Sequence, residues 1–183
     1  MRVLGISGSL RRDSHNTALL RAASELLQPA AELELYEGLA EIPPYSEDAE
    51  DGEPAAVAVL KAALRDADAV LFATPEYNHS IPGQLKNAID WVSRPVAGNP
   101  LEGKPVAVVG ASTSTFGAVW AQADLRRVLG ALHAQVVDRE LPVPYAAEAF
   151  TAQGELIDEA VAEVAREILN ELVSEAQPAL AAA

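Results

Sequence analysis

The chain has 183 residues, half of them hydrophobic and 22% charged, which suits one folded domain with a real core rather than a disordered segment. Its formal charge of −14 excludes the basic field that nucleic-acid or anionic-membrane binding needs, yet leaves room for a small anion held by local donors. The lack of cysteine excludes disulfides and thiolate chemistry; no run of about 18 apolar residues offers a membrane span, and the early first strand leaves no space for a secretory leader, so a cytoplasmic protein is expected.

Arg2 to Ser7 reads as a first strand, apolar on both faces. Thr17 to Leu27 carries leucines and alanines at helical spacing and stops before Pro29. Glu32 to Tyr36 is a second strand, and Gly38 to Glu53 an unusually long, acidic, Pro-containing connection. Pro54 opens a helix to about Asp66. Ala69 to Ala73 is a third strand, and Pro82 to about Ser93 a third helix. Pro105 to Gly110 is a fourth strand, Gly117 to Leu132 a fourth helix and Ala134 to Asp138 a short fifth strand. Glu155 to Ser174 closes the domain as a helix, and a tail beginning at Pro178 is expected to fray.

Strands alternating with helices imply an α/β domain with a parallel sheet covered on both faces, in a single unit spanning residues 1–183. Ligands in such folds gather beyond the carboxyl ends of the strands. Three connections leave those ends: 8–16, 74–82 and 111–117. All three are rich in Ser, Thr, Asn, Gly or Pro.

The first of them suits an anion. A helix starting near Asn16 presents unpaired N–H groups and the positive end of its dipole. Ser7, Ser9, Ser14, Asn16 and Thr17 add short polar side chains, and Arg11 or Arg12 adds charge. The loop lacks the Gly-Lys-Ser/Thr of a P-loop and the G-x-G-x-x-G of a dinucleotide fingerprint. Gly5-Ile6-Ser7-Gly8-Ser9 is not a nucleophile elbow either. A purely structural reading, with Ser and Asn capping the helix and both arginines solvated, remains open at this point.

The second connection, TPEYNHSIPG (74–83), is stiffened by Pro75 and Pro82 and suits a planar ring held by fixed backbone groups. GSLRRDSHN together with PEYNHSIPGQLKNAIDW resembles the NAD(P)H-dependent FMN reductase family, which includes quinone, azo-dye and chromate reductases. The resemblance implies a flavodoxin-like three-layer sandwich with a five-stranded parallel sheet in the order 2-1-3-4-5, and a homodimer or homotetramer. It further implies FMN as cofactor, NADPH or NADH as electron donor, and hydride transfer through flavin N5 to small acceptors by a ping-pong mechanism. By the same resemblance Ser9, Arg11, Ser14 and Asn16 hold the FMN phosphate. Pro75, Glu76, Tyr77 and Asn78 lie against the flavin, largely through their backbone, and Ser112, Ser114 and Gly117 meet the ring edge. Gly117-Ala118 stands where many relatives have two glycines. No side chain is assigned as a catalytic acid or base, because the cofactor carries the redox chemistry.

The remaining candidates are weaker. His15, His79 and His133 lack metal-ligand spacing, and the acidic run 47–53 has its glycine out of register for a calcium loop, so no metal is expected. Tyr45, in the long connection, is a candidate to reach a neighbouring subunit. An electron-carrier flavodoxin is the alternative function, favoured by acidity and opposed by the arginine-bearing first loop.

Overall fold

Two segments without a polar side chain, Ala69–Ala73 and Pro105–Ala111, are buried at every position because helices cover both faces of the sheet they centre. The computed structural model describes residues 1–181, with side chains through residue 177. Along it run β1 (Arg2–Ser7), α1 (His15–Leu27), β2 (Glu32–Tyr36), α2 (Ala55–Asp66), β3 (Ala69–Ala73) and α3 (Gly83–Val92). These are followed by β4 (Pro105–Ala111), α4 (Val119–Ala131), β5 (Gln135–Val136), β6 (Pro142–Val143) and α5 (Glu159–Ala181).

The strands pair in parallel in the order β2-β1-β3-β4-β5, as the family resemblance implies. Alternation along β1 divides the core: Val3 faces α1 and α5 with Leu71 and Val109, while Leu4 and Ile6 face α2, α3 and α4 with Val70, Phe72 and Val108. Among the described residues no helix is long and apolar enough to cross a membrane.

The expected fifth strand, Ala134 to Asp138, is corrected. Its place is shared by β5, beside the start of β4, and β6, beside its end. The charged segment Asp138-Arg139-Glu140 loops out between them, with Arg126 paired to Glu140 at 3.0 Å and Arg139 to Glu167 at 2.7 Å. Fully buried Gln122 fills the break, accepting the Leu141 N–H at 3.1 Å and donating to the Gly117 carbonyl at 3.1 Å. α5 begins at Glu159 rather than Glu155, because Phe150 to Leu156 forms a turn of its own, closed by a bridge between its two ends. α5 is described as helix to Ala181, and residues 182–183, the end of the tail expected to fray, lie outside the described residues.

The long connection between β2 and α2 contains two 3₁₀ turns, Gly38–Glu41 and Glu47–Gly52, and is strapped onto α3. Gln84 donates to the carbonyls of Leu39 and Ile42, and Asn87 and the Trp91 indole both donate to that of Pro43. Positions 84, 87 and 91 form one polar stripe on the helix. Tyr45, a candidate to reach another subunit, instead packs edge-on against Trp91 at 5.1 Å and donates its hydroxyl to Glu50.

Candidate functional site

β1 ends at Ser7, and the chain then passes so close to β3 that the Gly8 N–H donates to the Ala73 carbonyl at 2.8 Å. A Cβ at Gly8 would lie 2.9 Å from the Leu85 side chain and 3.3 Å from that of Pro75, so glycine lets the first loop run against the second without displacing either. The turn is built on hydroxyls. Ser7 Oγ accepts from Thr17 Oγ1 at 3.0 Å and from the Ser9 N–H at 3.4 Å, and Ser9 Oγ accepts from the Arg11 N–H at 3.3 Å. Ser14 caps α1, its Oγ accepting the N–H groups of Asn16 and Thr17, which starts the helix at His15, two residues before the apolar period suggests. The amides of Leu10, Arg12, Asp13 and Ser14 have no acceptor among the described residues. Together with the dipole of α1 these free donors suit an anion.

The charge distribution agrees. Against 27 acidic residues the chain has 13 Lys and Arg. Eight of these cations, Arg2, Lys61, Lys86, Arg94, Arg126, Arg127, Arg139 and Arg166, form ion pairs. Arg11, Arg12 and Arg21, in or just behind the loop, form none among the described residues. Burial, followed by repulsion from Arg11, holds the His15 imidazole below its ordinary pKa.

Asn16 plays a part different from the one assigned to it. It is 2% exposed; its amide nitrogen donates to the Ala111 carbonyl at 3.0 Å, and its oxygen accepts the Ala111 N–H at 2.9 Å. Its side chain clamps the first loop to the end of β4 instead of pointing at a ligand of that loop. The purely structural reading thus holds for Asn16 and for the capping oxygen of Ser14, while the Ser14 hydroxyl hydrogen stays available.

The second loop is a tight hairpin. Tyr77 and Ser80 exchange backbone hydrogen bonds at 3.1 and 3.2 Å around Asn78 and His79, whose φ values are 53° and 60°. Two consecutive left-handed residues define a type I′ turn, a conformation that asparagine tolerates well. Its arms are anchored on α4. Glu76 Oε2 accepts the N–H groups of Trp120 at 3.0 Å and Ala121 at 3.2 Å, and Ser80 donates to Asp124 at 2.7 Å. This leaves the Glu76 side chain spent on the helix, with Tyr77 and Asn78 exposed in the hairpin.

The third loop supplies a shorter set of donors. Ser112 Oγ lies 3.1 Å from Ser114 Oγ and accepts the Ser114 N–H at 3.2 Å, with both side chains on the rim. Gly117 is buried, with φ at 57°, and a Cβ there would sit 2.7 Å from the Pro142 and Val143 backbone. It is a close-packing position, not an exposed contact. Ala118 follows with φ 64°, which delays α4 to Val119. Beside the loop stand Phe116, 57% exposed, and Trp120, 41% exposed, with ring centroids 4.9 Å apart; His79 meets Trp120 edge-on at 4.8 Å.

The structure therefore places Ser9, Arg11 and Ser14 together in the first loop, and Pro75 to Asn78, Ser112 and Ser114 in the second and third loops at the same carboxyl end of the sheet. Sequence reasoning missed three contributors. They are Gln122, which supports the third loop, the α4 amides that hold Glu76, and Arg21. Gln122 carried a usable signal, a polar residue on the helix face of Ala121, Leu125 and Leu129.

A family model described as NADPH-dependent FMN reductase matches residues 1–148. An NAD(P)H-dependent FMN reductase of Pseudomonas aeruginosa is 45% identical over 174 residues, covering 94% of this chain and 93% of that protein. A quinone reductase of Escherichia coli strain K12 is 40% identical over 141 residues, covering 76% of this chain and 74% of that one. Among solved structures, FerB, a flavoenzyme NAD(P)H:(acceptor) oxidoreductase from Paracoccus denitrificans, superimposes with a TM-score of 0.86 at 36% identity and 97% coverage of both chains.

Proposed function

The chain belongs to the NADPH-dependent FMN reductase family, and on that premise we propose that it oxidises NAD(P)H with FMN and passes the electrons to small planar acceptors such as quinones, free flavin or azo compounds. The observation that carries this reading is the first loop: unpaired amides at a helix N-terminus, with arginines free of carboxylate partners among the described residues of an acidic chain. Those features suit a phosphate monoester bound without a metal.

Ser9, Arg11, Ser14 and the amides of Leu10, Arg12, Asp13 and Ser14 would hold the FMN phosphate. Asn16 would act as a positioning residue, fixing the loop against Ala111. Tyr77 and Asn78 would face the ring through backbone groups, and Ser112 and Ser114 would approach its edge. When bound, FMN supplies the hydride relay between donor and acceptor at its N5. The chain's own part is orientation and field, since rigid amide donors stabilise charge without reorganising. Exposed Phe116, Trp120 and Tyr77 frame one open face, which supports donor and acceptor using it in turn. A homodimer or homotetramer is the assembly this reading carries.

Steady-state NAD(P)H consumption by purified, FMN-loaded protein with a quinone as sole acceptor tests the proposal. Sustained turnover is expected. A carrier flavodoxin would consume almost none without a separate reductase, and that result would refute the enzymatic reading.

A further inference from the structure

Five non-glycine residues among the described residues have left-handed backbone. Asn78 and His79 form the hairpin turn, Ala118 precedes α4 and His133 follows it. The fifth is Tyr145, two residues beyond β6, with φ at 47° and neither a hairpin nor a helix end to account for it. So bulky a residue keeps that conformation only where its surroundings impose it, and such positions gather at ligand sites.

The surroundings of Tyr145 are the third loop. Its N–H donates to the Ser114 carbonyl at 3.2 Å, and its hydroxyl donates to Thr115 Oγ1 at 3.1 Å. On either side of it, the Val143 carbonyl accepts the Ser112 N–H and the Ala146 N–H donates to the Ser112 carbonyl, both at 3.0 Å. The carbonyls of Ser112 and Ser114 are therefore occupied. The N–H groups of Thr113, Thr115 and Phe116, by contrast, have no acceptor among the described residues, and all three residues are exposed. The loop is thus gripped by its acceptors and keeps three donors free at the carboxyl end of the sheet. The edge of an isoalloxazine ring offers the complement, carbonyl oxygens and ring nitrogens that accept hydrogen bonds.

We propose that Tyr145 is a positioning residue of the flavin site, holding the third loop through Ser114 and Thr115 so that its free amides are fixed for the ring edge. A loop ordered beforehand loses no further freedom when a ligand arrives, so Tyr145 raises affinity without touching the flavin. The proposal rests on the reading of the chain as an FMN-dependent oxidoreductase.

The test is fluorescence titration of the apoprotein with FMN and with riboflavin, in the parent, Tyr145→Phe, Thr115→Val and the double variant. Tyr145→Phe removes one hydroxyl from a side chain that is 55% exposed, so the thermal transition should stay within about 2 °C of the parent's. Affinity for both flavins should fall by the same factor, about three- to tenfold, because both carry the same ring. Thr115→Val should give an equal loss, and the double variant no greater one, since all three lack the same hydrogen bond. Unchanged affinity in Tyr145→Phe would overturn the proposal. So would a loss confined to FMN, which places the effect at the phosphate, or losses that multiply in the double variant. A parent that binds neither flavin refutes the FMN reading and the proposal with it, a result distinct from a parent that binds both and a Tyr145→Phe protein that matches it.

Discussion

The carboxylate of Glu76 accepts the backbone N–H groups of Trp120 and Ala121, capping α4 from 44 residues earlier in the chain. Ala118, the residue in the cap position, offers no side-chain acceptor of its own. The cap from the second loop thus serves two ends: it satisfies the helix and fixes the hairpin on which Tyr77 and Asn78 sit. Glu76→Ala should cost about 1–2 kcal/mol in urea denaturation, with Glu76→Gln losing less because it keeps an acceptor oxygen. FMN affinity should fall in the same order. An alanine variant as stable as the parent would remove Glu76 from this role.

Asn16 and Ala111 join the first and third loops through two buried hydrogen bonds. Asn16→Ala leaves the Ala111 N–H and carbonyl unpaired, at a cost of about 2–4 kcal/mol. A shift in the urea midpoint with an unchanged slope is the expected signature. A loss of FMN affinity with unaltered stability would point instead to direct contact between Asn16 and the cofactor.

Much of this architecture is legible in the sequence. β1 and β3 fall where the apolar runs place them, because strands covered on both faces leave an uninterrupted signal, while β2, at the sheet edge, is marked by the alternation of ELELY. The ends of helices are less legible where caps come from afar: nothing local announces that Glu76 closes α4, or that Asn16 answers to Ala111, 95 residues later. The split fifth position is hidden for a similar reason, since a two-residue strand at Pro142–Val143 is defined only by its partner β4. Within the site, residue types were readable but their division of labour was not. Asn16 and Arg11 look alike as donors in the sequence, and burial separates them.

Gly117 and Ala118 both adopt left-handed backbone, with opposite expectations on exchange. Gly117→Ala places a Cβ 2.7 Å from the Pro142 backbone, so it should cost about 2–4 kcal/mol and loosen β6. Ala118→Gly relieves backbone strain but empties a buried methyl position, two effects of about 1 kcal/mol each that nearly cancel. Thermal denaturation of both variants checks the contrast, and equal effects would contradict it.

His15 gives a pH signature. Its folded pKa lies below the ordinary 6.5 because of burial and the Arg11 charge, so the unfolded chain binds the proton more readily. The apoprotein should therefore lose stability as pH falls through 6.5 toward the lowered folded value. His15→Gln should flatten that part of the profile in denaturation measured from neutral to mildly acidic pH. An unchanged slope would remove His15 as its source.

The claim on which the functional account rests is that the first loop grips a phosphate monoester. Fluorescence titration of the apoprotein with FMN and with riboflavin, its analogue without phosphate, isolates that grip. FMN should bind one molecule per chain, at least about a hundredfold more tightly than riboflavin, as two charge-assisted contacts would supply. In Arg11→Gln the difference should shrink by about tenfold or more. Equal affinity for the two flavins, or no binding of FMN, would contradict the account.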